Sequence, residues 1–420
     1  MFLTKKRLRL YLGGLLILQV FTCLGCLPFL RGGFIDLRTF YTAGYMVRTE
    51  DAAHLYDYKT EQRLQSSLVA PDERALPMMS PAYTAILFTP LSLVRYRIAY
   101  LIFLAVNLLL LALAIATMRP HLDSLAGRWK PLPTLLFLSF LPAGIAWMMG
   151  QISFVLLLIY CLCYIALQNE RPFIAGLFLS FALMKFQIAL PVAFLFLAWR
   201  QWQFFVGFLV GTAGLTALSA RVIGLANFIP YLRSLFFMSS TISASPYEQL
   251  KYSILPQRMP NLYGLFFSLS GGAHWGQILT ILASILLLVW AIFQRPSLPF
   301  ALLVGMLVSY HFYLYDLTLL LLPLCLIANR YIREDTDDSY PESSPLTRTG
   351  LVKWRRLCAA YSTAFLLIAP IERFLIASDL IYLLAIPVAT LALTQAEWTS
   401  PRSGKPQASA EPPLAQLAQS

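Results

Sequence analysis

Charge is what this sequence has least of. Asp, Glu, Lys and Arg fill 12% of its 420 positions, while 58% are hydrophobic; a soluble domain carries about 25% charged and 45–50% apolar residues. So few charges cannot coat a water-exposed surface, which places the chain in the membrane class. Clustered metal-binding cysteine is lacking too. Cys23, Cys26, Cys161, Cys163, Cys325 and Cys358 all lie in or beside apolar runs. None has zinc-type spacing in a polar context, so they read as small packing residues. No internal repeat is visible, which argues against a transporter or lipid flippase built from related halves. The net charge of +12 reports orientation in a membrane, and no nucleic acid partner is expected.

What is present is one apolar run after another. A bilayer core of ~30 Å needs roughly 20 apolar residues per helix. The first run, Leu10 to Leu30, follows Lys5, Lys6, Arg7 and Arg9. It is long and lacks a small-residue cleavage site, so it reads as a retained first span. Further runs fall at 96–118, 132–149, 150–168, 172–199, 203–223, 275–294, 298–328, 357–376 and 378–394. The stretch 132–168 would be ~55 Å as one helix, so it must fold back near Gly150-Gln151. The stretches 172–199 and 298–328 are long for one span and short for two. Each carries polar groups near its middle, Lys185 in one and His311 and Asp316 in the other. A charge at a helix centre costs at least ~2.5–3.5 kcal/mol, and splitting each run places those groups at a turn. The expected fold is therefore all-α, a polytopic transmembrane bundle of about 10–12 spans. Residues 1–398 form the membrane domain and 399–420 a disordered cytoplasmic tail. The acidic Ser- and Pro-rich segment Glu334 to Pro345 is expected to be a mobile loop.

Orientation follows from the short connections. With the N-terminus in the cytoplasm, Arg119, Arg128, Lys130, Arg171, Arg200, Arg295, Arg330 and Arg333 all fall on the cytoplasmic side, as the positive-inside rule requires. Two long segments, 31–95 and 224–274, then lie outside the cell's plasma (inner) membrane and carry interfacial helices. The first opens on Asp36, followed by aromatic and small residues that suit a helix on the membrane surface. Asp57, farther along, reads as a cap or turn residue. The tips Gly150-Gln151, Lys185-Phe186-Gln187 and His311 to Asp316 point the same way, as does Arg258-Met259-Pro260-Asn261-Leu262-Tyr263-Gly264 in the second segment.

Polar groups gathered above an apolar bundle fit an enzyme whose substrate is half lipid. Transfer of a sugar from a lipid phosphate to a hydroxyl needs a base for the proton and cations for the leaving phosphate. Asp36 is the natural base, its reference pKa of ~3.9 leaving it ionised near neutrality. Lys185, Arg258 and His311 are candidate phosphate partners. Bland alternatives stand beside these: Lys185 as a snorkelling anchor, Gln151 as a helix cap, Asp316 as the structural partner of a nearby Lys or Arg. A divalent metal is not favoured, since one clear carboxylate is poor provision for magnesium, and no other cofactor is expected.

The same residues carry a family resemblance. Asp36 with Phe40-Tyr41-x-Ala-Gly, the Leu55-Tyr56-Asp57 element, and Pro81-x-Tyr83 leading to Pro90-Leu91-Ser92 resemble glycosyltransferase family 87. So do Gly150-Gln151, Lys185 after a Gly176-containing helix, Asn261-Leu262-Tyr263-Gly264, and His311 followed by Tyr315-Asp316. The resemblance runs in order from about residue 30 to 328. It implies a GT-C fold, a polyprenyl-phosphate sugar donor (mannose above all), a lipid or glycan acceptor, and transfer on the extracytoplasmic side. It also implies that Asp36 and His311 are catalytic and that Tyr41, Gln151, Lys185, Arg258, Asn261, Tyr315 and Asp316 contact substrate.

Overall fold

The computed structural model describes residues 5–25, 36–71, 75–229, 231, 255–336, 351–375 and 380–393. The opening of the first long segment before Asp36, most of the second, nearly all of the acidic loop and the C-terminal tail lie outside the described residues. Among those described, every regular element is helical. Six helical stretches are, by length and composition, apolar enough to cross a membrane: Leu8–Gly25, Tyr96–His121, Pro172–Ala198, Trp202–Ile223, His274–Ile292 and Leu314–Arg333. The protein is thus a helical membrane protein.

Helix α1 (Lys5–Gly25) starts where Arg9 lies 5.5 Å from the centre of the Trp129 ring. Three short helices follow: α2 (Leu37–Arg48), α3 (Tyr58–Leu68) and α4 (Tyr83–Phe88). Asp57 caps α3, accepting Thr60 N–H at 3.2 Å. Helix α5 (Tyr96–Met118) returns to the Arg9 end, where α6 (Asp123–Arg128) begins. Helices α7 (Leu132–Ser139) and α8 (Leu141–Met148) make one broken pass. Pro142, near the start of α8, lacks the N–H that would bond Leu138, and Phe140 is extended between the two helices. Helix α9 (Ser153–Gln168) runs back.

Next come α10 (Pro172–Phe181), α11 (Phe186–Ala198) and α12 (Trp202–Ile223). Gly207 abuts Phe173, Gly176 abuts Phe204 and Phe208, and Gly211 abuts Ser180. Those pairings make α10 and α12 parallel neighbours, drawn together by small residues as membrane helices commonly are. The chain between them must therefore reverse, and α11 runs the opposite way. The stretch 172–199 is a hairpin of helices ~15 and ~20 Å long. Its turn, the 3-10 segment Ala182–Lys185, is buried throughout.

After α13 (Leu262–Ser270) and α14 (His274–Ile292), helix α15 (Leu298–Val308) packs antiparallel on α11. Gln187 meets His311 at one end of that pair, and Trp199 faces Phe300 at the other. Residues 309–313 are not helical, and a 3-10 turn (Leu314–Leu320) leads into α16 (Leu321–Thr336). The stretch 298–328 is thus also two segments. Asn329 on α16 latches α6: its Oδ1 accepts Leu125 N–H at 2.9 Å, and its Nδ2 donates to His121 O and Asp123 Oδ1, both at 3.2 Å. Helices α17 (Leu351–Leu375) and α18 (Leu380–Ala392) complete the bundle against α16 and α15. The described helices thus run back and forth along one bundle, six of their stretches long and apolar enough to span a membrane. Arg119, Arg128, Arg171, Arg200, Arg295 and Arg330 end up at one end of the bundle, and the tips at 150–151, 182–187 and 309–313 at the other.

Candidate functional site

Asp36 stands at the N-cap position of α2, yet its side chain makes no capping bond. Its Oδ2 instead accepts a hydrogen bond from Gln151 Nε2, across 115 positions of sequence. Helix α2 is held rigidly. Thr39 Oγ1 donates to Leu76 O at 3.0 Å, Tyr41 OH to Val94 O at 2.8 Å and Arg48 Nε to Ser92 Oγ at 3.0 Å. Phe40 stacks on Phe88 at 4.8 Å between ring centres. The sequence suggested a helix lying on the membrane surface; residues 37–44 of α2 are all buried in protein. Gly44 explains this, since its lack of a side chain lets the α4 backbone at Phe88 close over the helix.

Gln151 is placed by a glycine-terminated helix end. Gly150 adopts φ +62°, a left-handed conformation that suits glycine. Gln151 N–H donates to Ala146 O at 3.0 Å and Gly150 N–H to Trp147 O at 3.1 Å, the paired bonds of a Schellman motif. Backbone groups therefore cap α8, and the glutamine side chain is left for Asp36.

Lys185 ends the buried turn between α10 and α11. Only 8% of the residue is exposed. Its Nζ pairs with Asp316 Oδ1 and lies 4.7 Å from the centre of the Tyr315 ring. It points inward, not to the head-group surface as a snorkelling lysine would. Asp316 is completely buried, and its Oδ2 accepts Tyr313 N–H at 3.1 Å. The expectation that Asp316 pairs with a nearby cation is met in Lys185, and the pair ties the α10–α11 turn to the 3-10 turn Leu314–Leu320. Tyr313 and Tyr315 stand 5.8 Å apart, and His311 meets Tyr313 edge-on at 4.9 Å.

Electrostatics joins these groups. Burial raises the Asp36 pKa above the ordinary carboxylate value, opposed by the Gln151 hydrogen bond and by the Lys185 and Arg38 charges. His311 is pushed down to about 3, by burial and then by Lys185. It is neutral at physiological pH and so offers a phosphate one N–H, not the positive charge expected of it. Its Nδ1 is buried with no hydrogen-bond partner among the described residues.

Asp36, Gln151, Lys185, His311, Tyr315 and Asp316 thus come together. Three other expected contact residues have different surroundings. Tyr41 spends its hydroxyl on Val94 and packs edge-on against Tyr96 at 5.2 Å. Asn261 is fully buried, capping α13 by accepting Gly264 N–H at 3.0 Å while donating to Ser309 O; it fastens the second segment to the His311 loop. Arg258 is exposed on the 3-10 turn Pro256–Arg258 at the rim. Sequence reasoning passed over Arg38, whose charge acts on Asp36, and Tyr313, whose hydroxyl accepts Leu255 N–H at 2.9 Å. It also passed over Asn107, an amide in the middle of the run 96–118, where an uncharged polar group was signal enough. No group of three or more His, Cys, Asp or Glu side chains forms a metal-ligating set among the described residues.

Beside the cluster lies a cavity of about 110 Å³ lined by Tyr56, Tyr83, Leu183, Leu215, Ile223 and Tyr231, among others. It adjoins the Lys185 turn through Leu183, and Ser80 Oγ pins that turn by donating to Met184 O at 3.0 Å.

Comparison with known proteins gives one family. The profile of glycosyltransferase family 87 matches residues 79–323, which contain every tip of the site and exclude Asp36. No curated protein and no solved structure matches.

Proposed function

The chain belongs to glycosyltransferase family 87 and is a membrane glycosyltransferase, and from that premise we propose that it moves a sugar, mannose first, from a polyprenyl-phosphate donor to a hydroxyl of a lipid or glycan. One observation carries the reading. A partly exposed carboxylate with raised basicity shares a site with a buried, inward-pointing lysine, and that site sits at the end of the bundle away from the basic turns.

The chemistry follows from those groups. The donor phosphate sits by Lys185, within reach of a neutral His311 N–H, and its prenyl chain leaves along the apolar cavity beside Leu183. Asp36 Oδ1 takes the proton of the acceptor hydroxyl. The acceptor oxygen bonds to the sugar C1 as the bond from C1 to the phosphate oxygen breaks, its electron pair passing to the phosphate. The products are a glycoside and polyprenyl phosphate. Attack opposite the leaving group inverts C1, so a β-linked donor yields an α-linkage. Lys185 balances charge that grows on the phosphate as the bond breaks, which favours the transition state over the ground state. Burial raises the Asp36 pKa toward the working pH, where a general base is most effective. The positive-inside rule puts the basic turns in the cytoplasm and the site outside the plasma membrane.

The test is incubation of the purified protein with polyprenyl-phosphate [¹⁴C]mannose and a membrane lipid and glycan extract. Label should move into a new product with the wild type, and Asp36→Asn should lower the rate by about 10²–10⁴-fold. Unchanged transfer by Asp36→Asn would remove Asp36 as base. Failure with every lipid-linked sugar tried would remove this donor class.

A further inference from the structure

We infer that Gln151 is a positioning residue for Asp36, presenting the carboxylate to the acceptor hydroxyl, and that Asn107 in turn fixes Gln151. The inference rests on the reading of Asp36 as base and goes beyond it.

Three observations support it. First, Gln151 Nε2 is the one hydrogen-bond donor to the Asp36 side chain among the described residues, and it takes Oδ2. That leaves Oδ1 to receive a proton and halts rotation of the carboxylate. Second, the glutamine is not needed where it stands for any local purpose. The position after the left-handed glycine of a Schellman motif commonly makes an apolar contact; here it holds an amide with only 4% exposure. The cap itself is made by Gly150 and Gln151 backbone N–H groups. Third, the Gln151 backbone is pinned on both sides. Its N–H is held by Ala146 O, and its carbonyl accepts Asn107 Nδ2 at 3.3 Å. Asn107 is completely buried in the middle of α5, and its Oδ1 finds no hydrogen-bond partner among the described residues. Burying a half-satisfied amide costs free energy, and what it secures is the carbonyl of the residue that holds Asp36. The path Asn107–Gln151–Asp36 thus runs from α5, through the α8–α9 tip, to the start of α2.

The role predicts a particular kinetic pattern. An amide N–H favours the ionised form of the carboxylate it bonds, so without it Asp36 protonates at higher pH. Gln151→Leu should lower kcat by about 10²-fold, the scale of a small misplacement of a reacting group, with KM for the donor unchanged. The acid limb of the rate profile should move to higher pH. Gln151→Glu keeps the size and packing of the side chain but sets a second carboxyl against Asp36; it should move that limb further in the same direction. Asn107→Leu should give a smaller loss of the same kind.

The decisive measurement combines variants, with polyprenyl-phosphate [¹⁴C]mannose and the same extract as substrates. Since Gln151 acts through Asp36, Asp36→Asn combined with Gln151→Leu should be no slower than Asp36→Asn alone. An additive further loss would overturn the inference, as would a raised donor KM in Gln151→Leu with kcat and pH profile unchanged. If Asp36→Asn transfers at the wild-type rate, the reading of Asp36 as base has failed. If Asp36→Asn is inactive while Gln151→Leu and Gln151→Glu behave as wild type, only the role of Gln151 has failed.

Discussion

At the scale of single residues, the Lys185–Asp316 pair shows why ionisable groups survive inside an apolar bundle. Two buried charges lose several kcal/mol each in hydration, and their attraction offsets this only where further contacts complete the pair. Both partners have such contacts: Asp316 accepts Tyr313 N–H, and the Lys185 ammonium lies over the Tyr315 ring. Removing one partner strands the other, which typically costs about 3–5 kcal/mol. Lys185→Met should therefore lower the unfolding temperature in detergent sharply. Adding Asp316→Leu should restore much of it, because no unpaired charge is left. Neither form should transfer sugar, since both lack the cation proposed to hold the donor phosphate. A double variant as unstable as the sum of the single ones would show that the pair is not coupled in this way.

At the scale of elements, the site is assembled from ends: a cap position, a glycine-terminated tip, a buried turn, a break between helices. A strap, residues 75–80, braces this assembly. Gln65 bonds both the N–H and the carbonyl of Leu76, at 3.0 and 2.7 Å, and Glu61 Oε1 accepts Met78 N–H at 2.8 Å. The strap ends on Ser80, which holds the Lys185 turn. Burial raises Glu61 to about 8, with the Met78 hydrogen bond opposing and Asp57 adding to the rise. Between its unfolded value of ~4.3 and about 8, the folded chain holds this proton more tightly than the unfolded chain does. Stability from Glu61 is therefore full at the acid end of that window and falls as pH rises through it. Hydrogen exchange at Leu76 and Met78, corrected for the intrinsic rate, should show protection declining from about pH 5 to about pH 8, and Glu61→Gln should flatten the decline. Protection that rises with pH in the wild type would contradict this. Elements also explain what the sequence could disclose. The reversal at Gly150-Gln151 was legible because 37 apolar residues cannot remain one span, and the polar middles of 172–199 and 298–328 marked their turns. Partners were not legible: Gln151 reaches Asp36 over 115 positions and Lys185 reaches Asp316 over 131, and periodicity carries no information at such range. The backbone partners of Tyr41 and Asn261 were hidden for the same reason. The Tyr41 hydroxyl donates to Val94 O and the Asn261 amide to Ser309 O, both distant in sequence.

At the scale of the molecule, the polarity of the bundle connects fold to function. Basic turns lie at one end and the Asp36 cluster at the other, and the proposed lipid-linked donor would present its head group at the second. Two exposed positions test that arrangement. Gln203 lies in the first turn of α12, beside Arg200 and the start of α10, at the basic end. Lys59 lies in the first turn of α3, in the connection that frames the site. Cysteine introduced at Gln203 should react with a membrane-impermeant thiol reagent only after the cytoplasmic side is opened, whereas cysteine at Lys59 should react in intact cells. The native Cys161, Cys163 and Cys325 are completely buried and should contribute little background. Reaction of both new positions from one side would contradict the opposed ends of the bundle. Reaction of Gln203→Cys from outside and Lys59→Cys from inside would keep the architecture and turn it over. It would then put the Asp36 site in the cytoplasm, and the acceptor would have to be sought among cytoplasmic hydroxyls.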